Sequence, residues 1–224
     1  MDNLAARVFL FKTRRIAGPV SHRVYKLRFA GQARAKTFVG PETELCIEGF
    51  PRSANSFAYN AIAAANPQVE RYGRHVHTVS QVTEAVRLGI PALLVIRPPA
   101  ATVRSFLGRF SPRSATLVLG AYAAYYQAIL PFVEQVTVSD FGTTTTNLAA
   151  SVAALNARYG TALAGPERAD QSAAAERLAE HAASGRGVAG LPPIRDGAAP
   201  QTQLPAKALA EAEAAYAAVQ RFAL

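Results

Sequence analysis

The chain has 224 residues, half of them hydrophobic, which is enough for one sizeable core. Lysine and arginine outnumber aspartate and glutamate by 24 to 15, and this net charge of +9 favours anionic partners such as phosphorylated nucleotides or acidic membrane surfaces. Tryptophan is absent and the tyrosines are scattered, so no base-stacking platform is evident and we expect no nucleic-acid partner. We find no apolar run near the ~20 residues that cross a bilayer and no signal-peptide core, and therefore expect a cytoplasmic protein.

Residues 1–43 are basic and show no sustained amphipathic period. We expect them to form an N-terminal segment that packs on the rest of the chain, with peripheral contact to an anionic membrane as the alternative. Residues 44–224 then form a single α/β domain, with a flexible Gly- and Pro-rich segment near 184–205.

The first predicted unit of this domain is a strand, a loop and a helix. A short apolar run around Cys46 suits a buried strand, Gly49 and Pro51 turn the chain, and a helical pattern covers residues 56–65. Such a loop presents backbone N–H groups and the positive end of a helix to one point, which predicts an anion site. Arg52 adds a guanidinium group to that site. Cys46 itself is expected to be a buried, unreactive thiol.

The second strand candidate covers residues 68–79 and contains His75 and His77. Alternation along a strand would place both histidine side chains on one face. Thr78 and Gln81 have the spacing of a capping box, which predicts a helix that begins at Val79 and ends at Leu88, before Gly89.

Further strands and helices alternate along the chain. The continuous apolar run at residues 92–96 is typical of a central parallel strand, and 136–139 is the next strand candidate. This alternation predicts a three-layer α/β fold with a mainly parallel sheet between helices. One further helix is predicted to follow Pro99 and to end near residue 109. The others are predicted over residues 115–133, about 143–159, 171–183 and 206–222.

Arg97 follows the central strand directly, and Ser105 lies eight residues later, about two turns into the next helix. Ligands of open parallel sheets bind outside the carboxyl ends of the strands. We therefore expect Arg97 and Ser105, the loop at 49–55 and the two histidines to meet at one edge of the sheet.

Two of these stretches resemble sulfotransferases that use 3′-phosphoadenosine 5′-phosphosulfate (PAPS). The hexapeptide Pro51-Arg52-Ser53-Ala54-Asn55-Ser56 is similar to the family's 5′-phosphosulfate loop, typically PKSGTT or PRSGTT. It departs from that pattern at Ala54, usually glycine, and at Asn55, usually threonine. Arg97, Pro99 and Ser105 match the family's 3′-phosphate element, R-x-P-x₅-S. The resemblance covers about residues 44–159.

The resemblance implies a P-loop-like fold and transfer of a sulfuryl group from PAPS to a hydroxyl or amine, without a metal. The product nucleotide would be adenosine 3′,5′-bisphosphate (PAP), and the acceptor a carbohydrate, a lipid or a small molecule. Arg52 and the loop residues Ser53, Ala54, Asn55 and Ser56 would bind the 5′ end. Arg97 and Ser105 would bind the 3′-phosphate. His77 or His75 would be the base, and Arg52 would stabilise the departing phosphate.

Two other functions stay open. The first is a non-catalytic protein that binds phosphonucleotides or polyanions with this fold and a weakened loop. The second, less favoured, is a small nucleotide-dependent kinase, which needs a loop lysine and a magnesium-binding aspartate where Arg52 and Arg97 stand. A zinc site at His75 and His77 has no evident third ligand. The oligomeric state is left open.

Overall fold

The computed structural model describes residues 19–110, 114–183 and 203–224. Its four strands form one sheet in the order β2-β1-β3-β4, with every neighbouring pair parallel. Parallel neighbours need crossover connections, and helices supply them, as the alternating pattern predicted. The strands are β1 (Leu45–Glu48), β2 (Tyr72–Arg74), β3 (Ala92–Ile96) and β4 (Thr137–Asp140).

Helices cover both faces of the sheet. Short 3₁₀ helices at Ala33–Thr37 and Leu130–Gln135 accompany the α-helices. The α-helices are α1 (Pro19–Leu27), α2 (Asn55–Ala65), α3 (Val79–Leu88), α4 (Pro99–Phe110), α5 (Ala115–Ile129), α6 (Phe141–Thr146), α7 (Leu148–Tyr159), α8 (Arg168–Ala183) and α9 (Ala206–Gln220).

Alternate strand residues divide the core into two apolar layers. Leu94 and Ile96 of β3 point into the layer covered by α3, α4, α5 and α9. Leu93 and Val95 point into the opposite layer, covered by α2, α7 and α8. A strand with apolar side chains on both faces is stable only between two helix layers. The three-layer α/β fold predicted from the sequence is confirmed.

The helix α5 is a core element. The side chains of Tyr122, Tyr125 and Tyr126 are fully buried, as their placement in an apolar helical stretch predicted. The expectation that no apolar run approaches the length of a membrane span is wrong, because Ala115–Gln135 is long and apolar enough by length and composition. Half of its most apolar window is buried inside the fold, and the rings of Tyr122 and Tyr125 contact Phe50 at 5.2 and 5.9 Å between centroids.

The described part of the N-terminal segment packs on α3 through α1. The side chain of His22 is buried, with Nε2 donating to the Val39 carbonyl at 3.0 Å and Nδ1 lying 3.2 Å from Ser80 Oγ. Tyr25 and Phe38 close a small aromatic cluster beside it. Residues 1–18 of the basic segment, and residues 184–202 of the predicted flexible segment, lie outside the described residues.

The capping box predicted for α3 is wrong, although the helix does begin at Val79. Thr78 occupies the N-cap position without a capping hydrogen bond from its side chain. Gln81 serves the N-terminal segment instead: its Oε1 accepts from Val39 N at 3.0 Å, and its Nε2 donates to the Thr37 carbonyl at 2.7 Å. Contacts to residues some 40 positions away therefore outcompete the local cap.

The second strand is shorter than predicted. It ends at Arg74, and both His75 and His77 adopt left-handed backbone conformations with φ of 55° and 57°. The predicted strand exists, but its predicted extent over residues 68–79 is wrong, and so is the inference that strand alternation places the two histidines on one face. The histidines instead belong to the loop that follows the strand.

Candidate active site

The carboxyl ends of the four parallel strands lie at one edge of the sheet, and the loops that follow them carry the candidate site residues. Arg52 lies in the loop between β1 and α2, and the two histidines follow β2. Arg97 follows β3, and Phe141 begins α6 directly after β4. Arg52 contacts Ser105 and Arg97, and His77 contacts Gly49, so these loops meet at the edge as the sequence predicted.

Backbone strain is concentrated at this edge. Among the described residues, four that are not glycine have positive φ: Arg52 (71°), Ala54 (75°), His75 (55°) and His77 (57°). The left-handed region costs such a residue roughly 1–2 kcal/mol. Strained conformations of this kind cluster at binding and catalytic sites, where surrounding contacts hold them in place.

The loop between β1 and α2 is pressed against the sheet. A Cβ atom on Gly49 would lie 2.1 Å from the carbonyl oxygen of Val95, so only glycine fits there. Asn55 Nδ2 closes the loop by donating to the carbonyls of Gly49 at 3.2 Å and Phe50 at 3.1 Å. Ala54 is the N-cap of α2, and no side-chain cap occupies the first turn of that helix. The backbone N–H groups of that first turn are therefore suited to binding an anion.

Two arginines and a serine form one connected cluster, which we call the arginine cluster: Arg52, Arg97 and Ser105. Arg52 Nε donates to Ser105 Oγ at 3.0 Å, and Arg97 Nη1 donates to the Arg52 carbonyl at 3.0 Å. The guanidinium of Arg97 also stacks on the Phe141 ring at 4.1 Å. The resemblance to sulfotransferases implied that Arg52 and Ser105 bind opposite ends of a nucleotide, whereas in the structure their side chains are in contact.

The arginine cluster is electropositive. Partial burial lowers the pKa of Arg52, and the positive charges of Arg109 and Arg97 lower it further. Burial likewise lowers the pKa of Arg97. Within the described residues, no ion pair includes Arg52 or Arg97; the pairs are Lys26–Glu42, Arg71–Glu42, His77–Glu48 and Arg87–Glu84. Cations held together without a carboxylate are suited to an external anion.

His75 has a defined tautomer. Arg74 Nη1 lies 3.0 Å from His75 Nδ1, and a guanidinium can only donate, so Nδ1 is the acceptor. The ring proton is then on Nε2, which donates to Ser56 Oγ at 2.9 Å. Arg74 is itself held over the ring of Tyr59 at 3.8 Å. Both ring nitrogens of His75 are thus engaged in orienting Ser56.

His77 has the opposite tautomer. Its Nδ1 lies 3.0 Å from the carbonyl oxygen of Gly49, which can only accept, so the ring proton is on Nδ1. Nε2 is therefore the basic nitrogen of the neutral ring. The side chain is 15% exposed, and its ring lies 5.8 Å from that of His75, edge to face. The left-handed turn brings the two histidines together, although strand alternation does not.

Glu48 is a site residue that the sequence analysis missed. Its carboxylate is buried at the end of β1, where Oε1 accepts from Val76 N at 2.7 Å. Oε2 accepts from His77 N at 3.2 Å and lies 3.5 Å from His77 Nδ1. The available signal was a single acidic residue at the end of an otherwise apolar strand, directly before Gly49.

A groove of about 510 Å³ opens between α2, α6 and α8. Phe57, the residue after Ser56, forms part of its wall, so the groove begins beside the loop. No sequence pattern predicts this groove, because Phe57 lies more than 80 residues from the other wall residues along the chain. Its lining residues are Phe57, Thr145, Thr146, Arg168, Gln171, Ser172 and Ala175.

Within the described residues, no group of three histidine, cysteine or acidic side chains could hold a metal ion. Cys46 is buried, and burial raises the pKa of its thiol, as expected of an unreactive cysteine. The site is therefore defined by cations, helix N–H groups and two histidines. Comparison of the chain with models of known families, with curated proteins and with solved structures found no match.

Proposed function

We propose that this protein is a sulfotransferase that moves a sulfuryl group from PAPS to a hydroxyl or amine of an acceptor. The observation that carries the proposal is the arginine cluster, in which two guanidinium groups and a hydroxyl converge beside the N-terminus of α2 without a described carboxylate. The positive charges of the two arginines disfavour each other, and an anion with several negative oxygens stabilises both.

The nucleotide binds along the edge of the sheet. Arg52, Ser56 and the first-turn N–H groups of α2 contact the 5′-phosphosulfate. Arg97 and Ser105 contact the 3′-phosphate, since a bidentate guanidinium and a hydroxyl match its oxygens. The Arg52–Ser105 hydrogen bond of the free protein is exchanged for bonds to the two phosphate groups.

The groove beside the loop takes the nucleoside. Its volume lies within the range of roughly 300–1,000 Å³ that is usual for ligand pockets. The ring of Phe57 offers an apolar surface for a base, and Gln171 and Ser172 offer donors and acceptors for its edge.

The transfer is an in-line displacement at sulfur. His77 Nε2 takes the proton of the acceptor hydroxyl as its oxygen bonds to sulfur, and the bond between sulfur and the phosphate oxygen breaks. The electron pair leaves on the phosphate of PAP, where Arg52 and the N–H groups of α2 stabilise the charge. His75 does not compete as the base, because Arg74 occupies its acceptor nitrogen.

The kinase alternative has little support at this edge. Its magnesium ion needs a free carboxylate near the phosphates. Asp140 caps α6 by accepting from Thr143 N at 3.0 Å and Thr143 Oγ1 at 2.9 Å. Glu48 accepts hydrogen bonds from backbone N–H groups on the histidine side.

Acceptors of the carbohydrate, lipid and small-molecule classes all fit the proposed transfer.

Calorimetry and turnover together test the proposal. We expect PAP to bind more tightly than ATP or adenosine 5′-monophosphate, because neither competitor has a 3′-phosphate. We also expect the protein to convert PAPS to PAP when a panel of hydroxyl and amine acceptors is supplied. Tight PAP binding without turnover on any acceptor would favour the non-catalytic binder. Equal affinity for the three nucleotides would contradict the proposal.

A further inference from the structure

Burying the carboxylate of Glu48 at the end of β1 is energetically unfavourable unless it has partners there. Its side chain is 1% exposed, at the end of a strand whose other residues are apolar. Removing a carboxylate from water costs several kcal/mol unless hydrogen bonds and charges replace the water. The other residues of β1 are apolar, and the described partners of the carboxylate are backbone N–H groups of the loop after β2, so we look for its role in that loop.

The carboxylate holds the turn that carries His77. The N–H groups of Val76 and His77 donate to its two oxygens at 2.7 and 3.2 Å. Both bonds span 28 or 29 residues and connect β1 to the loop after β2. The left-handed conformation of His77, with φ of 57°, is thus fixed from outside the loop.

The same carboxylate faces the histidine ring. Oε2 lies 3.5 Å from His77 Nδ1, and that nitrogen also contacts the Gly49 carbonyl at 3.0 Å. Two oxygens on the Nδ1 side keep the proton there and stabilise the ring when Nε2 takes a second proton. Among the described residues, the ring of His75 lies 5.8 Å from the His77 ring between centroids, and Arg74 donates to Nδ1 of His75 at 3.0 Å.

We propose that Glu48 is the positioning residue of the reaction, which fixes the tautomer of His77 so that Nε2 takes the acceptor's proton. This proposal rests on the proposed function, in which His77 is the base. The proton moves from the acceptor oxygen to Nε2, and the resulting imidazolium is paired with the Glu48 carboxylate until it releases the proton to solvent. Glu48 itself stays ionised and touches neither donor nor acceptor.

Nitrogen-15 NMR of the imidazole rings tests the positioning independently of catalysis. In the wild-type protein, with His77→Gln used to assign the signal, we expect neutral His77 to be protonated at Nδ1. In Glu48→Gln, which keeps the size of the side chain and can still accept from Val76 N, we expect the titration midpoint of His77 to fall by about one pH unit. Glu84→Gln, which removes a buried carboxylate that pairs with Arg87 instead of His77, should leave that midpoint unchanged.

A neutral His77 protonated at Nε2 in the wild-type spectrum would overturn the proposal, and this result does not depend on whether Glu48→Gln folds. An unchanged midpoint in Glu48→Gln would overturn it as well. The acidic limb of kcat/KM should move with the NMR midpoint, while the affinity for PAP changes less than about twofold, because Glu48 contacts neither arginine. Absence of turnover in the wild-type protein would reject the proposed function, and the NMR result would still decide the role of Glu48.

Discussion

The two halves of the site differ in whether their charged and polar groups have partners within the described part of the protein. In the arginine cluster, Arg52 and Arg97 are held together without a described carboxylate, so their charges await an external anion. In the histidine half, which we define as Glu48, Ser56, His75 and His77, each polar group already has a partner within the protein. The first half is therefore built for binding and the second for holding a tautomer, and single substitutions should separate the two.

The largest expected effect is on turnover in the histidine half. His77→Ala should lower kcat by about 10²–10⁴-fold, because the acceptor hydroxyl then has no base. The affinity for PAP, measured by calorimetry, should stay within about twofold of the wild-type value. His75→Ala is the matched control and should lower kcat less, since it removes the hydrogen bonds to Ser56 and Arg74 but leaves the base in place. A larger loss of kcat in His75→Ala than in His77→Ala would indicate that His75, and not His77, is the base.

The next effect is on binding in the arginine cluster. Arg97→Ala should weaken PAP binding by about 10–100-fold, since a hydrogen bond to a charged group contributes about 1.5–3 kcal/mol. Binding of ATP and adenosine 5′-monophosphate should change much less. Arg221→Ala, which removes an equal charge from the end of α9, is the control and should leave all three affinities unchanged. Equal losses for the three nucleotides would contradict the assignment of Arg97 to the 3′-phosphate.

A smaller effect, on the free energy of unfolding, is expected when backbone strain is relieved in the loop between β1 and α2. Ala54 has φ of 75°, so Ala54→Gly should raise the free energy of unfolding by about 1 kcal/mol, measured in urea. Ala64→Gly, within the right-handed part of α2, should lower it by about 1 kcal/mol. If both glycines destabilise the protein alike, the left-handed conformation of Ala54 is contradicted.

The smallest effect concerns a histidine outside both halves. Burial lowers the pKa of His22 below its ordinary value of 6.5, so the unfolded chain binds the proton more readily than the folded one. Stability from His22 is complete above pH 6.5 and is lost as the pH falls toward the lowered value. In His22→Gln, the melting temperature should therefore change less with pH just below pH 6.5 than it does in the wild-type protein. Losses from Glu42 and Glu84, whose pKa values lie below 4.5, begin only in more acidic solution.

Local pattern predicted most of the fold. The apolar run at 92–96 and the helix 79–88 are found as expected, because continuous apolar residues and a glycine at the helix end are signals within one segment. The predicted helix from 143 to 159 is in fact two helices, α6 and α7, with Asn147 between them. The fold class depended only on the alternation of strands and helices, which tolerates such errors.

The site was less predictable, because its geometry comes from contacts between distant segments. Arg97 and Ser105 lie on expected elements, but their contacts with Arg52 join residues 45 and 53 positions apart. Glu48 was overlooked because its partners, Val76 and His77, lie nearly 30 residues further along the chain. No local signal marks left-handed backbone at histidine, so the strand expected there could not be rejected.

The four left-handed residues Arg52, Ala54, His75 and His77 should be visible in a deep mutational scan. Glycine is the substitution that their backbone accepts with least penalty, whereas at most other positions alanine is tolerated better. A scan selected for abundance alone should thus enrich glycine at these sites. A parallel scan selected for nucleotide turnover should deplete it at Arg52 and His77 while retaining it at Ala54. The difference between the two scans would separate residues whose side chains are needed for function from residues that only tolerate a strained backbone conformation.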